Sequence, residues 1–114
     1  MKKPIISVIM SVRNSEDTIR NSIESILNQS YKNFEFIIVN DFSTDNSLAI
    51  IDKYDDPRII TINNEKNIGL AASLNKALKV CKGEYIARMD HDDIAYNNRL
   101  EKQLNYLESN PKIG

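Results

Sequence analysis

Residues 4–14, PIISVIMSVRN, begin with a short run rich in β-branched side chains and end in two polar residues. A run this short and apolar is typical of a strand buried on both faces, which is the usual situation in a parallel sheet. A helical pattern follows at once, and we expect Asn14 or Ser15 to cap that helix. The stretch therefore predicts a buried strand that leads directly into a helix.

The same alternation of strand and helix recurs three more times along the 114 residues. The further predicted strands are FEFIIV (34–39), RIITI (58–62) and EYIARM (84–89), the last of which we also interpret as buried. Helical patterns follow them in STDNSLAIIDKY (43–54), GLAASLNKALKVC (69–81) and NRLEKQLNYLES (98–109). Strict alternation with short connections predicts an α/β fold, a Rossmann-like, doubly wound and mainly parallel sheet with helices on both faces.

The third helical pattern, residues 69–81, predicts both a buried face and a helix end. Leu70, Leu74, Ala77 and Leu78 recur at helical spacing, so we expect them to face the core. The pair Lys82-Gly83 then predicts a helix end in the left-handed conformation that glycine favours.

Composition excludes several classes of protein. Apolar residues make up 41% of the chain and charged residues 27%, as in ordinary globular domains, and the net charge of −1 with scattered lysines gives no basic face for nucleic acid. Cys81 is the only cysteine, which rules out an internal disulfide and fits a reducing compartment. No apolar run is long enough to span a membrane. We therefore expect one cytoplasmic domain.

Polar residues gather where the predicted strands end. They are Arg13-Asn14, Asn40-Asp41, the segment from Asn63 to Gly69, and the acids Asp90, Asp92 and Asp93. Ligands of open parallel sheets bind beyond the carboxyl ends of the strands, so these groups share one edge. Taken singly, the first three groups are equally well explained as helix caps and turns.

The acidic group stands in RMDHDDI, residues 88–94. Two carboxylates about 4 Å apart repel by roughly 1 to 4 kcal/mol, so a cation is expected beside them unless the loop is fully solvated. Carboxylates suit Mg²⁺ or Mn²⁺, which bind one or two of them together with waters and substrate phosphates. His91 is a further candidate ligand. A metal-bridged diphosphate would place a nucleotide near Asp41, which could accept a hydrogen bond from the base.

The segments ISVIMSVRN, FEFIIVNDFSTDNS, NIGLAASLNKAL and ARMDHDD, in this order, resemble the nucleotide-binding half of the inverting family 2 glycosyltransferases. The resemblance covers essentially the whole chain. It implies the A-type glycosyltransferase fold, a nucleoside-diphosphate sugar donor that is most often UDP-linked, Mg²⁺ or Mn²⁺ as cofactor, and an acceptor that is a glycan or is lipid-linked. Residues 1–114 would then be the nucleotide-sugar-binding part of a longer protein, cytoplasmic or at the inner face of the membrane.

The resemblance also implies roles for individual residues. Asp41 matches the acid that binds uracil, and Asp90 and Asp92 match the two ends of the Asp-x-Asp element, the first nearer the ribose and the second on the metal. Asp93 is an additional metal candidate. The remaining nucleotide-binding positions are Asn14 with the backbone of Ser11, Val12 and Arg13, and the Asn-x-Gly turn of Asn67 and Gly69.

Some positions depart from the family pattern. The family often has Tyr where Arg13 stands, Gly where Phe42 stands and Arg where Leu74 stands. Its general base is an acid on a later segment, which we expect beyond Gly114. Two other classes of function remain open from the residues alone: a phospho-acceptor signalling domain, although its acids should follow the first and third strands, and a nucleotide-sugar-binding module without catalysis.

Overall fold

The computed structural model describes residues 4–92, 95 and 98–109, with side chains described as far as Tyr106. Strands and helices alternate throughout. In chain order they are β1 (Ile6–Val12), α1 (Ile19–Leu27), β2 (Phe34–Asn40), α2 (Ser47–Asp52), β3 (Ile59–Asn63), α3 (Leu70–Val80), β4 (Tyr85–Asp90) and α4 (Arg99–Ser109). The four strands form one sheet in the order β3-β2-β1-β4, and every pair is parallel. This confirms the predicted α/β class.

The two central strands, β1 and β2, are buried along their whole length, as their β-branched composition predicts. Alternate side chains of each strand point to opposite faces of the sheet. One face packs against α1, α2 and α4, and its largest fully buried side chains include Phe36 and Met10. The other face packs against α3 through Ile9, Ile37 and Val39. Helices therefore cover both faces, as expected for a doubly wound sheet.

Helix α1 begins later than the sequence predicts. Its first residue is Ile19 and its N-cap is Thr18, so the expectation that Asn14 or Ser15 caps the helix is wrong. A tight turn intervenes, in which the N–H groups of Thr18 and Ile19 both donate to the carbonyl of Ser15. Asn14 itself has a positive φ of 49°, a conformation that asparagine tolerates better than most residues.

Helix α3 buries a narrower stripe than its leucines predict. Its buried residues are Ser73 and Ala77, whereas Leu70 and Leu78 are 52% and 43% exposed. The reason is geometric: α3 contacts β1 and β2, and it is the sole helix on that face within the described part of the chain. The prediction that Leu70 and Leu78 face the core is therefore wrong.

The turn after α3 ends differently from the left-handed form expected at Lys82-Gly83. Gly83 does not have a positive φ, and glycine is needed there for space. A Cβ on Gly83 would lie 2.6 Å from the backbone nitrogen of Ser7. The Gly83 N–H donates to Ser7 Oγ (2.8 Å), and that hydroxyl donates to the buried Glu35 (2.5 Å). The close approach joins the turn to the amino ends of β1 and β2.

Strand β4 lies at the edge of the described sheet, and one of its faces is open. Ala87 and Met89 are buried, but Ile86 is 48% exposed. The prediction of a fully buried strand is therefore wrong, because α3 lies over β1 and β2 and does not cover β4. Among the described residues, no helix combines the length and the hydropathy that a membrane crossing requires.

Candidate functional site

A cleft of about 430 Å³ lies at the carboxyl ends of β1, β2 and β4, beside the start of α3. This is where open parallel sheets bind ligands. The residues that line it come from β1, β4, α3 and the loops after the four strands: Ser11, Arg13, Asp41, Asn67, Gly69, Leu70, Arg88, Asp90, His91 and Asp92. The cleft thus brings together most of the residues that the sequence singled out.

Asp41 follows β2 and is almost fully buried, at 2% exposure. Its Oδ1 accepts hydrogen bonds from the Ile68 N–H (2.8 Å) and from Asn64 Nδ2 (3.0 Å), and its Oδ2 accepts one from the Gly69 N–H (2.9 Å). Burial alone would raise the pKa of Asp41, but these donors and the positive charge of Arg13 outweigh it and lower the pKa. The side chain is therefore an anion that holds the loop before α3 in place.

The turn at Asn67 and Gly69 is shaped by this carboxylate. Gly69 precedes α3 as its N-cap with φ of 91° and ψ of 168°, a conformation that is essentially restricted to glycine. Its N–H points at Asp41 and is also 3.3 Å from Asn67 Oδ1. Nothing lies within 4 Å of a Cβ built at Gly69, so the requirement for glycine is conformational rather than steric. The sequence prediction of a turn glycine here is confirmed by the positive φ.

Of the residues at the end of β1 and just after it, some line the cleft and others bond to the segments around it. Ser11 and Arg13 line the cleft. Val12 is fully buried, and its carbonyl accepts a hydrogen bond from the Asp41 N–H (2.8 Å). Asn14 does not line the cleft: its Oδ1 accepts from the Thr44 N–H at 2.7 Å. Within this structure Asn14 therefore joins the loop after β1 to the loop after β2.

The acids at the end of β4 are separated from Asp41 by β1, because the strand order is β3-β2-β1-β4. Asp90 is the last residue of β4 and pairs with Ser11 in the sheet register. Its Oδ1 lies 3.3 Å from Arg88 Nη2, and both side chains are about half exposed, so this pair contributes little to stability. Asp92 is exposed and also lines the cleft. Asp93, the third predicted metal candidate, lies outside the described residues.

The donor set fits a divalent cation that is shared with a ligand. Within residues 4–92, 95 and 98–109, no group of three or more His, Cys, Asp and Glu side chains converges as a metal cage would require. Two carboxylates beside an open cleft instead match the way Mg²⁺ is usually held, by one or two carboxylates together with phosphates and water. Asp90 and Asp92 are the described residues that could hold such an ion.

Sequence reasoning assigned no individual role to two residues of the site, although Asn64 lies in the polar segment from Asn63 to Gly69. Arg88 lines the cleft and supplies positive charge beside Asp90, and its position two residues earlier on the same strand could have indicated this. Asn64 Nδ2 donates a hydrogen bond to Asp41, and Asn64 Oδ1 accepts one from Lys76 Nζ (2.8 Å). His91 lines the cleft, and its Nδ1 is buried with no hydrogen-bond partner among the described residues.

Comparisons with known proteins agree on one family. The sequence profile described as Glycosyl transferase family 2 matches residues 7–114. The uncharacterized glycosyltransferase MJ1057 of Methanocaldococcus jannaschii is 50% identical over 118 residues, which cover 99% of this chain and 40% of that protein. The UDP-Glc:alpha-D-GlcNAc-diphosphoundecaprenol beta-1,3-glucosyltransferase WfaP of Escherichia coli is 43% identical over 92% of this chain and 42% of its own length.

Solved structures show the same likeness. The crystal structure of S. aureus TarS 1-349 in complex with UDP-GlcNAc matches with a TM-score of 0.87 and 30% identity, over 92% of this chain and 31% of that one. The chain described above thus spans about two fifths of the length of the curated relatives it matches.

Proposed function

The chain belongs to glycosyl transferase family 2, and on that premise we propose that it is the donor-binding part of an inverting, metal-dependent glycosyltransferase. The donor is a nucleoside-diphosphate sugar, most simply UDP-linked, and the acceptor is a hydroxyl of a glycan or of a lipid-linked sugar. The single observation that carries this proposal is the cleft itself. It combines a buried anion at Asp41 with two further carboxylates and two arginines at the carboxyl ends of parallel strands.

Asp41 binds the base in this proposal. A carboxylate has about four acceptor positions, and three are used by Asn64, Ile68 and Gly69. The remaining position belongs to Oδ2, which accepts a single described hydrogen bond and can take one more from the imino N–H of uracil. The lowered pKa of Asp41 keeps that oxygen an acceptor throughout the physiological range.

Asp90 and Asp92 hold the other end of the nucleotide. Asp90 lies nearer the ribose, and Asp92 binds Mg²⁺ or Mn²⁺ together with the diphosphate. A bound divalent ion would stabilise the negative charge on the departing diphosphate as a Lewis acid. Arg13 and Arg88 line the same cleft and contribute positive charge toward the phosphates. Asn67 and Gly69 position the nucleotide through the turn before α3.

The acceptor side of the reaction needs a general base within hydrogen-bond reach of the attacking hydroxyl. We assign that base to none of the residues that the structure describes. An acceptor carried on a lipid would place the reaction at the inner face of the membrane, and the name of the E. coli relative, with its diphosphoundecaprenol acceptor, supports this.

Calorimetric titration of the chain with UDP, GDP and dTDP, each with and without Mn²⁺, tests the proposal. We expect UDP to bind most tightly and the affinity to rise with Mn²⁺. Asp92→Asn should abolish the effect of Mn²⁺ because it removes the charge that binds the ion. Asp52→Asn is the matched control, since Asp52 is an exposed acid at the end of α2, remote from the cleft. An affinity for UDP that is equal in the wild type, Asp92→Asn and Asp52→Asn and does not depend on Mn²⁺ would refute metal-dependent binding through Asp92.

A further inference from the structure

Four polar side chains form a stripe along α1 and its ends, at positions 18, 22, 25 and 29. These spacings of four, three and four residues place them on one side of the helix. Ser22 and Gln29 are fully buried. Such side chains are unusual in a helix that packs on a sheet, so their hydrogen-bond partners matter. All four are bonded to the segment that follows β4.

The contacts occur in chain order along that segment. Thr18 Oγ1 (3.2 Å) and Ser22 Oγ (2.8 Å) both donate to the carbonyl oxygen of His91. Ser25 Oγ accepts a hydrogen bond from the Ala95 N–H at 3.1 Å. Gln29 Oε1 accepts one from the Leu100 N–H (3.0 Å), which is in the first turn of α4 and has no partner within that helix.

The carbonyl of His91, which accepts both of these hydrogen bonds, belongs to the residue between the two acids of the cleft. Asp90 is fixed by the sheet, because it is the last residue of β4 and pairs with Ser11 of β1. Asp92 is exposed and lies beyond the strand, so the sheet does not fix it. The His91 carbonyl belongs to the peptide bond that joins His91 to Asp92. The hydroxyls of Thr18 and Ser22 therefore hold the carbonyl of the peptide bond immediately before Asp92.

We propose that Thr18 and Ser22, supported by Ser25 and Gln29, are positioning residues that hold Asp92 at the distance from Asp90 that binding of a metal–diphosphate pair requires. This inference rests on the proposed function. It assigns to α1 a role in donor binding even though none of the four side chains lines the cleft. Residues behind metal ligands commonly change metal affinity by about 10- to 100-fold when they are replaced.

The variants are chosen to separate the hydroxyls from packing. Thr18→Val keeps the shape of the side chain and removes the donor, whereas Thr18→Ser keeps the donor and should behave as the wild type. Ser22→Ala removes the second donor. Ser7→Ala is the matched control, because Ser7 is a fully buried serine at the opposite end of β1, bonded to Glu35 and Gly83.

Two measurements on the 114-residue chain test the inference. The first is the carbonyl ¹³C shift of His91 together with the ¹⁵N shift of Asp92, recorded without metal. Both should move in Thr18→Val and Ser22→Ala and stay unchanged in Thr18→Ser and Ser7→Ala. The second is the affinity for Mn²⁺ in the presence of UDP. It should fall about 2- to 10-fold in each single variant and about 10- to 100-fold in the double variant Thr18→Val/Ser22→Ala.

The possible results distinguish this inference from the function on which it rests. Wild-type protein that takes up no Mn²⁺ with UDP refutes the proposed function and the inference together. Metal-dependent uptake that is equal in wild type and double variant leaves the function standing and refutes the positioning role. Weaker uptake in Ser7→Ala as well would also refute it, since general destabilisation would then explain the loss. If Ser22→Ala fails to fold, the comparison of Thr18→Val with Thr18→Ser, at a half-buried position, decides whether the positioning role holds.

Discussion

Asp41→Asn should destabilise the protein by about 3–5 kcal/mol at neutral pH, because one carboxylate carries three hydrogen bonds to the loop before α3. The asparagine carbonyl can replace Oδ1 and keep the donors of Ile68 and Asn64. Its amide group would face the Gly69 N–H, so a donor would meet a donor. The size of the effect follows from these two differences.

A hydrogen bond to a charged group contributes about 1.5–3 kcal/mol and a neutral one about 1 kcal/mol. The variant therefore loses about 1.5–3 kcal/mol at Gly69 and about 1 kcal/mol at each of the two weakened bonds. Asn67 Oδ1, at 3.3 Å from the Gly69 nitrogen, recovers only a small part. The total is a large fraction of the 5–15 kcal/mol that is typical of a domain.

Urea denaturation, monitored by circular dichroism at several pH values, measures the difference in the free energy of unfolding between the wild type and Asp41→Asn. Because folding lowers the pKa of Asp41, its contribution is complete above the unfolded-state pKa of about 3.9 and is lost as the pH falls through the folded-state pKa. The difference in the free energy of unfolding between wild type and variant should therefore be constant from pH 5 to pH 8 and shrink below about pH 4. A gap under about 1 kcal/mol at pH 7, or one that grows on acidification, would refute the reasoning.

Two further predictions concern the other end of the sheet. Gly83→Ala should cost about 1–3 kcal/mol and lower the melting temperature measured by calorimetry, because the new Cβ would lie 2.6 Å from the Ser7 nitrogen; an Ala variant as stable as the wild type would show that the turn can move away. Burial raises the pKa of the Cys81 thiol, so the thiolate is scarce and alkylation by iodoacetamide should be slower in the folded chain than in urea from pH 7 to pH 9. Equal rates in the two states would contradict this.

The sequence was sufficient to predict the elements that repeat a clear pattern. Each of the four strands and four helices overlaps the stretch that β-branched runs and helical spacing indicated, although α1 begins later than expected. The family profile agrees with the resemblance carried by the ordered motifs. Asp41, Gly69, Asp90 and Asp92 were predicted to meet because all follow carboxyl ends of parallel strands, and all of them line the cleft. The family match decides against the signalling-domain alternative.

Burial was harder to predict than position. Ile86, Leu70 and Leu78 are as apolar as core residues, but their exposure depends on how much of the sheet α3 covers. No local pattern contains that information, because it is set by the order of the strands and by which helix crosses which pair. The same limit applies to Gly83, whose need for space arises from Ser7, far away in the sequence.

The polar stripe of α1 illustrates the converse case. Thr18, Ser22 and Ser25 are visible in the sequence at helical spacing, but their partners are backbone groups, which every residue possesses. A side chain that binds a carbonyl or an N–H leaves no sign of its partner in the sequence. Only the fold could show that these hydroxyls reach the loop between the acids.

The strand order β3-β2-β1-β4 also determines when the cleft can exist during synthesis. Strands β1, β2 and β3 can pair once the residues up to Asn63 have left the ribosome, and the last donor to Asp41 follows at Gly69. Asp90 arrives later, because β4 docks on β1 across the longest sequence separation of the three strand pairs, with Ile6 opposite Tyr85. A nucleotide that contacts both Asp41 and Asp90 would consequently stabilise the docking of β4 on the other strands, and ligand should slow the fraying of β4 more than that of β3.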